Sequence, residues 1–499
     1  MAKLDIPESW AECTLKDVAK WGSGGTPSRA NKKFFGGNIP WIKTGDLPDG
    51  DLLHFDEGIT EDGLANISGG IYPKDTIVMA MYGATIGKLG RLTFDAAVNQ
   101  ACACAITHQG VFNWFLFYWL RSNRQKYIDA GRGGGQPNIS RELIYEQPFV
   151  LPPLAEQKRI VAKIESTTAK IDAIEKAVTE AEALLEKYRE SLLAKAFRGE
   201  LVPQDPNDEP ASKLLERIRA ERAKQQTGKG KKANELRPIS EDEIPFEIPK
   251  SWEWVRLGEL ESLGIFSLIE DGNHGELHPK AKDYVSDGIA FVMANNIRNG
   301  SVNLDNCKKL PPSITDKLRI GFAKTGDVLL THKGTIGEVG IVPEVSPYIM
   351  LTPQVTMYRI ANAEVISNTF LKIIFSSPFF QYSIKSVSKQ ATRDYVGITR
   401  QKELIVPLPP AREQFRIAHV ITDALNRSER VSLHFSRGSD FCEKLRSSLL
   451  DSAFSGRLVP QDPLEGTGHD LLAEIFTIKK SEPDDKTSAK KLHSSLVQP

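Results

Sequence analysis

The sequence predicts an α+β chain that is internally duplicated, two globular domains alternating with two long helices. Three observations predict this. A set of short motifs occurs twice in the same order. A heptad run of apolar residues follows each globular part. Within each globular part, strand-like and helix-like patterns are separated by glycine turns.

The duplication comes first because it organises everything else. Pro7-Glu8-Ser9-Trp10 recurs as Pro249-Lys250-Ser251-Trp252, an offset of 242. Thr85-Ile86-Gly87 recurs as Thr335-Ile336-Gly337, an offset of 250. Leu151-Pro152-Pro153 with Glu156-Gln157 and Arg159-Ile160 recurs as Leu408-Pro409-Pro410 with Glu413-Gln414 and Arg416-Ile417, an offset of 257. Leu201-Val202-Pro203-Gln204-Asp205-Pro206 recurs as Leu458-Val459-Pro460-Gln461-Asp462-Pro463 at the same 257, and Leu214-Leu215 still matches Leu471-Leu472. The globular parts therefore tolerate insertions, whereas the segment after each keeps one length. Constant length implies that spacing matters, and divergence implies different targets.

The constant segment reads as a helix. Ile160, Ile164, Thr167, Ile171, Ile174, Val178, Ala181, Leu185, Tyr188 and Leu192 step by fours and threes, a heptad seam. Pro152-Pro153 marks the entry and Gly199 the C-terminal cap. About 45 residues at 1.5 Å rise give a rod of roughly 65–70 Å. The second copy keeps register through Ile417, Ile421, Ala424, Val431, Phe435, Cys442, Leu445 and Leu449, and departs from a clean seam at Ser428 and Gly438. In the globular parts, 76–80 and 328–331 read as strands, and 112–121 and 369–375 as helices. The predicted boundaries are globular domains at 1–150 and 249–407, helical spacers at 151–200 and 408–457, a linker at 201–248 with a short charged helix over 211–224, and a C-terminal segment at 458–499 whose last residues, from 479, read as a polar tail.

Composition bounds the function. Of 499 residues, 40% are hydrophobic and 26% charged, an ordinary soluble profile. The best apolar run, Phe112 to Leu120, is too short for a membrane span, and five scattered cysteines do not make a disulfide framework, so a cytoplasmic protein without membrane contact is expected. Basic and acidic residues number 64 each, for a net charge of +0. A lone DNA-binding domain is usually basic, so any nucleic-acid contact here calls for local positive charge or a partner that supplies it.

No catalytic, metal-binding or cofactor-binding constellation stands out. Asp17 with Gly22-Ser23-Gly24-Gly25 misses the spacing of an S-adenosylmethionine loop, and no Asn/Asp-Pro-Pro-aromatic tetrapeptide follows. Gly83 to Lys88 imitates a phosphate loop but has three residues between its glycines and Leu89 where Ser or Thr is required. His274 and His278 have the i,i+4 spacing of a zinc helix but sit in a turn sequence, and Cys102 and Cys104 have no matching pair.

Recognition chemistry is present instead. Arg and Lys suit guanine, Asn and Gln suit adenine, and all four grip phosphate. In the first domain the candidates are Arg29, Lys32, Lys33, Lys43, Arg132, Gln136, Asn138 and Arg141. In the second they are Asn295, Asn296, Arg298, His332, Lys333, Arg393, Tyr395 and Arg400. Each cluster taken singly reads as a solvated loop; their placement in two related domains on one spacer is what singles them out.

With LPPLAEQKRI and AFRGELVPQDP answered by LPPAREQFRI and AFSGRLVPQDP, and with GGTPS at 24–28, IPWIKTGDL at 39–47 and GGQPNIS at 134–140, the sequence resembles the specificity subunits of type I restriction-modification enzymes over about residues 5–475. The resemblance implies two target-recognition domains, each reading one half of a split double-stranded DNA site, on helices packed as an antiparallel coiled coil that sets the spacer. It implies no catalysis here. Two modification (methyltransferase) subunits would carry S-adenosylmethionine and methylate adenine, and two restriction subunits would carry ATP and Mg²⁺. The helices with the LPP and LVPQDP segments would dock the modification subunits, which would add cationic surface, so that the isolated chain binds DNA poorly. Two other classes stay open: a coiled-coil protein-interaction adaptor without sequence-specific DNA binding, and a self-contained methyltransferase.

Overall fold

The computed structural model describes residues 6–131, 137–225, 236–275, 277–298, 300–389 and 395–481. The chain forms two compact units that do not follow chain order. The first is Met1–Val178 with Ser436–Pro499, and the second is the stretch between, Thr179–Phe435. Each unit thus holds one globular domain, the start of the helix that follows it, and the end of the other helix.

The two globular domains repeat one topology. In the first, a five-stranded sheet runs in the order Ala19–Ser23, Cys102–Thr107, Ile77–Ala80, Leu89–Leu92, Gly50–Leu52. A three-stranded sheet (Gly58–Ile59, Phe35–Ile42, Ala97–Val98) lies beside it, and Ala11–Thr14 pairs antiparallel with Pro148–Leu151. In the second, Phe266–Asp271, Val355–Ile360, Val328–Thr331, Val339–Ile341, Gly300–Val302 and Ile297–Arg298 make the corresponding six-stranded sheet, and Glu253–Arg256 pairs with Ile405–Leu408. The central strands Ile77–Ala80 and Val328–Thr331 are buried at every position, which is why they read as continuous apolar runs rather than alternating ones. Helices Asn113–Ser122 and Asn368–Ser376 cover the sheets within one residue of the predicted bounds.

Both spacer helices are unbroken and of one length, 44 residues, at Leu154–Phe197 and Ala411–Phe454. The irregularities at Ser428 and Gly438 do not interrupt the second: Ser428 is buried, and a side chain at Gly438 would meet open space. The seam is buried at the helix ends and exposed between. Ile160, Ile164, Ile171 and Leu192 are buried, but Ile174 is 50% and Tyr188 49% exposed. The ends are covered by their domains. Ile160 and Ile164 join the core of the first with Leu449 and Ala453, and Ile417 and Ile421 that of the second with Leu192 and Ala196. Within the first unit the two helix segments run antiparallel. Arg159, near the start of the first helix, pairs with Glu465, just past the end of the second, while Arg446 reaches back to Asp172 and Glu175.

The duplicated motifs explain this arrangement. In the first unit, Gln461 Nε2 donates to the Glu156 carboxylate at 2.7 Å and to the Gly456 carbonyl, and Ser9 Oγ donates to Gln461 Oε1 at 3.0 Å. In the second, Gln204 makes the same bonds to Glu413 and Gly199, Ser251 donates to Gln204, and the Trp252 indole donates to Glu413 at 3.0 Å. The next residues, Gln157 and Gln414, donate to the carbonyls of Pro152 and Pro409. Glu156, Gln157, Glu413 and Gln414 are at most 3% exposed. Burial pushes both glutamate carboxyls above their usual range, and the amide donors oppose that shift. The Glu-Gln pairs of the LPP segments and the glutamines of the LVPQDP segments, expected as docking surface, are engaged in hydrogen bonds inside each unit.

One prediction about the C-terminus is corrected. A helix spans Gly468–Ser481, so the polar tail cannot begin at 479. Ile475 on one face enters the first unit's core, and Lys479 donates to the carbonyls of Lys16 and Asp17 at 3.0 Å. The linker helix Ala211–Gln225 is its counterpart: the Gly468 and Ala211 amides donate to Ser9 and Ser251 carbonyls.

Gly199 and Gly456 end the two helices with φ of +72° and +73°, and a Cβ on either would lie 2.2 Å from Pro249 or Pro7. Gly199→Ala should destabilise the second unit, and Gly456→Ala the first, by about 2 kcal/mol or more, since left-handed strain and a clash add. Urea unfolding of each variant followed by domain-resolved hydrogen exchange checks this.

Candidate nucleic-acid interface

In each domain one chain of backbone hydrogen bonds gathers loops distant in sequence. In the first, Gly25 donates to the Val98 carbonyl, Asn99 to Ile42, Met81 to Ala101, Gly83 to Pro137 and Ile139 to Met81, all at 2.8–3.0 Å. In the second, Asn273 donates to Leu351, Thr352 to Val292, His332 to Gln354 and Val396 to His332, again at 2.8–3.0 Å. Isolated bridges Tyr82–Asn138 and Lys333–Tyr395 occupy the same place in the two frames. The approach is close: a Cβ at Gly24 would lie 1.6 Å from the Val98 carbonyl oxygen, and one at Gly272 2.0 Å from that of Thr352. Gly24 of the GGTPS segment and Gly272 of the Asp271-Gly272-Asn273 segment are therefore required by packing at the loop cluster. Asp17, the other half of the near-miss loop, caps the Thr14 turn instead.

Arg29 and Lys43 meet on Glu57 in the first domain, Asn138 bridges to Tyr82, and in the second domain Lys333 bridges to Tyr395 while Asn295 is exposed. Arg29 and Lys43 both bond Glu57, at 3.0 and 3.2 Å, and the Arg29 guanidinium also stacks over Phe35 and Trp41 at 4.4 and 5.3 Å. Their donors hold the Glu57 carboxyl below its usual range. Lys32 and Lys33 are exposed on the short helical turn Lys32–Phe34. Asn138 and Lys333 are exposed, and the Tyr395 ring is 40% exposed. Arg141 is half-buried at the start of the helix Arg141–Tyr145, 3.8 Å from Glu142, with its Nε buried and unbonded.

Two further candidates are buried, and two are exposed with their guanidinium groups on backbone carbonyls. Asn296 is 7% exposed, and its side chain accepts the Met293 amide, as Asp46 accepts the Lys43 amide in the first domain. Arg298 folds back onto the carbonyls of Ala294 and Ile297 and lies 3.5 Å from Glu338. Arg400 donates to the Val387 carbonyl. His332 is fully buried, its Nε2 3.3 Å from Asp271 and its ring 5.2 Å from that of Tyr395, so it is no surface group. Polar residue types next to glycine turns suggested surface roles; Asn296 is instead a buried cap and His332 a buried ring, whereas Arg298 and Arg400 stay exposed. Arg132, Gln136 and Arg393 lie outside the described residues.

The same geometry adds residues that sequence reasoning missed. Thr26 donates to Gln100, both exposed, and Tyr82 and Gln354 face the same clusters. Their signal was positional: Asn99-Gln100 and Thr352-Pro353-Gln354 each precede a buried central strand in the duplicated frame. Amide, guanidinium and hydroxyl groups on this scaffold are of the kind that pair with base edges and phosphates. Elsewhere, the ring Nδ1 atoms of His274 and His278 sit against backbone carbonyls, and Cys102 and Cys104 are buried.

A family model described as the type I restriction modification DNA specificity domain matches residues 7–183 and again 249–431. The chain belongs to the type I restriction-modification specificity subunits. Among curated relatives, the EcoBI specificity subunit of Escherichia coli is 24% identical over 464 residues, covering 92% of this chain and 88% of the relative. The MjaIX specificity subunit of Methanocaldococcus jannaschii is 23% identical, covering 91% and 94%. Among solved structures, the HsdS subunit from Thermoanaerobacter tengcongensis shares the fold with a TM-score of 0.53 at 16% identity, covering 91% and 98%. A chain from a study of complex assembly and conformational transition of the type I R-M system shares it at 0.65 and 17%, covering 92% and 100%. No helix among the described residues of this specificity subunit is long and apolar enough to cross a membrane.

Burial lowers the His332 pKa, and its loss of solvation outweighs the attraction of Asp271, with Lys333 and Tyr395 as the other polar neighbours. A folded pKa below the unfolded value of about 6.5 means that the unfolded chain binds more protons between the two. This stability is present above about pH 6.5 and is lost as pH falls from there toward the folded pKa. Thermal unfolding at pH 7.5 and 5.5 should show a drop at the lower pH that His332→Met reduces.

Proposed function

We propose that each globular domain of this subunit reads one half of a bipartite, asymmetric double-stranded DNA site, and that the two spacer helices set the distance between the halves. The observation that carries this reading is the recurrence of one loop cluster, in one backbone frame, on two helices of equal length, with different side chains at matching places. Lys43 answers to Met293, Tyr82 to Lys333, and Asn138 to Tyr395. Different groups in one frame read different half-sites.

The chain itself is non-catalytic in this reading and holds no cofactor. Two modification subunits, carrying S-adenosylmethionine, dock on exposed helix surface and methylate an adenine in each half. Two restriction subunits, carrying ATP and Mg²⁺, cleave. Adenine must leave the base stack to be methylated, so the recognition domains also place the target base before a modification subunit. The zero net charge fits this division, because the first domain's loop cations are partly neutralised from within by Glu57, and partner subunits supply the remaining positive surface.

Two experiments test the reading. The chain and its modification subunit are expressed in a host lacking adenine methylation, and the genome is sequenced with modification detection. A split motif with methyladenine in both halves, present only with this chain, is expected. Methylation independent of the chain places specificity elsewhere, and none at all from an intact complex favours an interaction adaptor. Second, Glu57→Gln removes the internal counter-charge of Arg29 and Lys43. The complex should bind its DNA several-fold tighter at low salt, with a salt slope steeper by about one to two, as read by fluorescence anisotropy across a salt series.

A further inference from the structure

The two domains differ beneath their loop clusters. In the second, four buried polar side chains, those of Asp271, Thr356, Tyr358 and Gln401, form a hydrogen-bonded relay, and the buried ring of His332 packs beside it. The Thr356 hydroxyl donates to Asp271 Oδ1 at 2.6 Å, and Gln401 Nε2 donates to Thr356 Oγ1 at 2.8 Å and to the Val396 carbonyl at 2.7 Å. The Tyr358 hydroxyl donates to Gln401 Oε1 at 2.6 Å, and His332 stands 3.3 Å from Asp271. All five are at most 9% exposed.

Strand register identifies the matching positions in the first domain. Leu330 pairs with Thr356 as Met79 pairs with Ala103, and Val328 with Tyr358 as Ile77 with Ala105. Asp271 opposite Thr356 answers to Ser23 opposite Ala103. His332 answers to Met81, since each sends its amide to the loop before the neighbouring strand, Val355–Ile360 or Cys102–Thr107, and accepts an amide at its carbonyl. Gln401 answers to Ile144 at the offset of 257. Where the second domain has Thr356, Tyr358, His332 and Gln401, the first has Ala103, Ala105, Met81 and Ile144, all buried.

Buried side chains joined by hydrogen bonds define geometry more sharply than apolar packing; here the four bonded side chains do so, while the His332 ring nitrogens beside them have no hydrogen-bond partner. This one ends at the candidate contact segment. Gln401 grips the Val396 carbonyl, the Val396 amide grips the His332 carbonyl, and the Tyr395 ring packs 5.2 Å from the His332 ring. In the first domain the corresponding Asn138–Ile139 segment has the backbone bonds but no such side-chain relay.

We propose that Asp271, His332, Thr356, Tyr358 and Gln401 are positioning residues for the second half-site: they hold Tyr395 and Lys333 at the angle from which these reach the DNA, a constraint the first domain lacks. This rests on the reading of the domains as half-site readers.

The test is the methylated motif of complexes carrying relay variants. Gln401→Ile installs the first domain's residue, and Tyr358→Phe keeps the ring but removes the hydroxyl donor. Ile144→Val in the first domain is the control. The expected result is that Gln401→Ile relaxes base discrimination about ten-fold in the second domain's half alone, and Tyr358→Phe less so, with the first half unchanged. An unchanged motif in folded variants overturns the proposal, and so does equal weakening of both halves with a lowered melting temperature, the mark of a purely structural role. If Gln401→Ile does not fold, Tyr358→Phe decides by the same criteria. A wild-type complex without a split motif sinks the half-site reading itself, whereas a split motif indifferent to the variants sinks only the relay.

Discussion

A buried glutamate that must be hydrogen-bonded closes each half of this molecule. Glu156 and Glu413 sit at the roots of the two long helices, away from solvent, where an unbonded carboxylate would be strongly unfavourable. The amide that satisfies each belongs to the segment beyond the other helix: Gln461 for Glu156 and Gln204 for Glu413. Serines of the Pro-x-Ser-Trp turns lock those amides from behind. Each domain is thus completed by chain that is remote in sequence, and the N- and C-terminal ends of the described chain meet in one unit. The ion pairs Arg159–Glu465 and Arg416–Asp208 reinforce the same two junctions.

This bracing accounts for the uneven tolerance of the sequence. The segment from each Glu-Gln pair to the next LVPQDP glutamine keeps one length, and each of its ends is fixed by a hydrogen bond inside its own unit. Both helices are 44 residues long. Between the Pro-x-Ser-Trp turn and the next Leu-Pro-Pro, the chain needs only to return to a strand that pairs with its own beginning, as Ala11–Thr14 does with Pro148–Leu151. Loops there lengthen without disturbing the brace, and those loops carry the candidate contacts.

The loop clusters show how one frame takes two chemistries. The backbone bonds that gather the loops are the same, and what varies is the side chain placed on them and the packing beneath. In the first domain, cations are held by Glu57 above an apolar layer. In the second, Lys333 and Tyr395 stand over a hydrogen-bonded polar layer. Charge balance across the chain therefore conceals local differences between the two domains.

The duplication, the equal helices, the strands at 77–80 and 328–331 and the covering helices were legible in the sequence, because periodicity and motif spacing are local properties that survive without tertiary contacts. The helix Gly468–Ser481 was only half legible: Leu471-Leu472 matched Leu214-Leu215, but its polar end read as a tail. What the tertiary structure alone decided was which segments meet and which polar groups stay wet. Nothing local told that Gln461 serves the first domain rather than the second, since that choice lies in packing between segments some 300 residues apart. Nothing local distinguished Asn295, exposed, from Asn296, a buried cap, or showed that His332 lies under Tyr395 while Lys333, one residue on, faces out. His332 and Lys333 follow the end of a strand, where adjacent residues point to opposite sides and only the completed sheet determines which side is the interior, whereas Asn296 turns inward to cap its own helical turn.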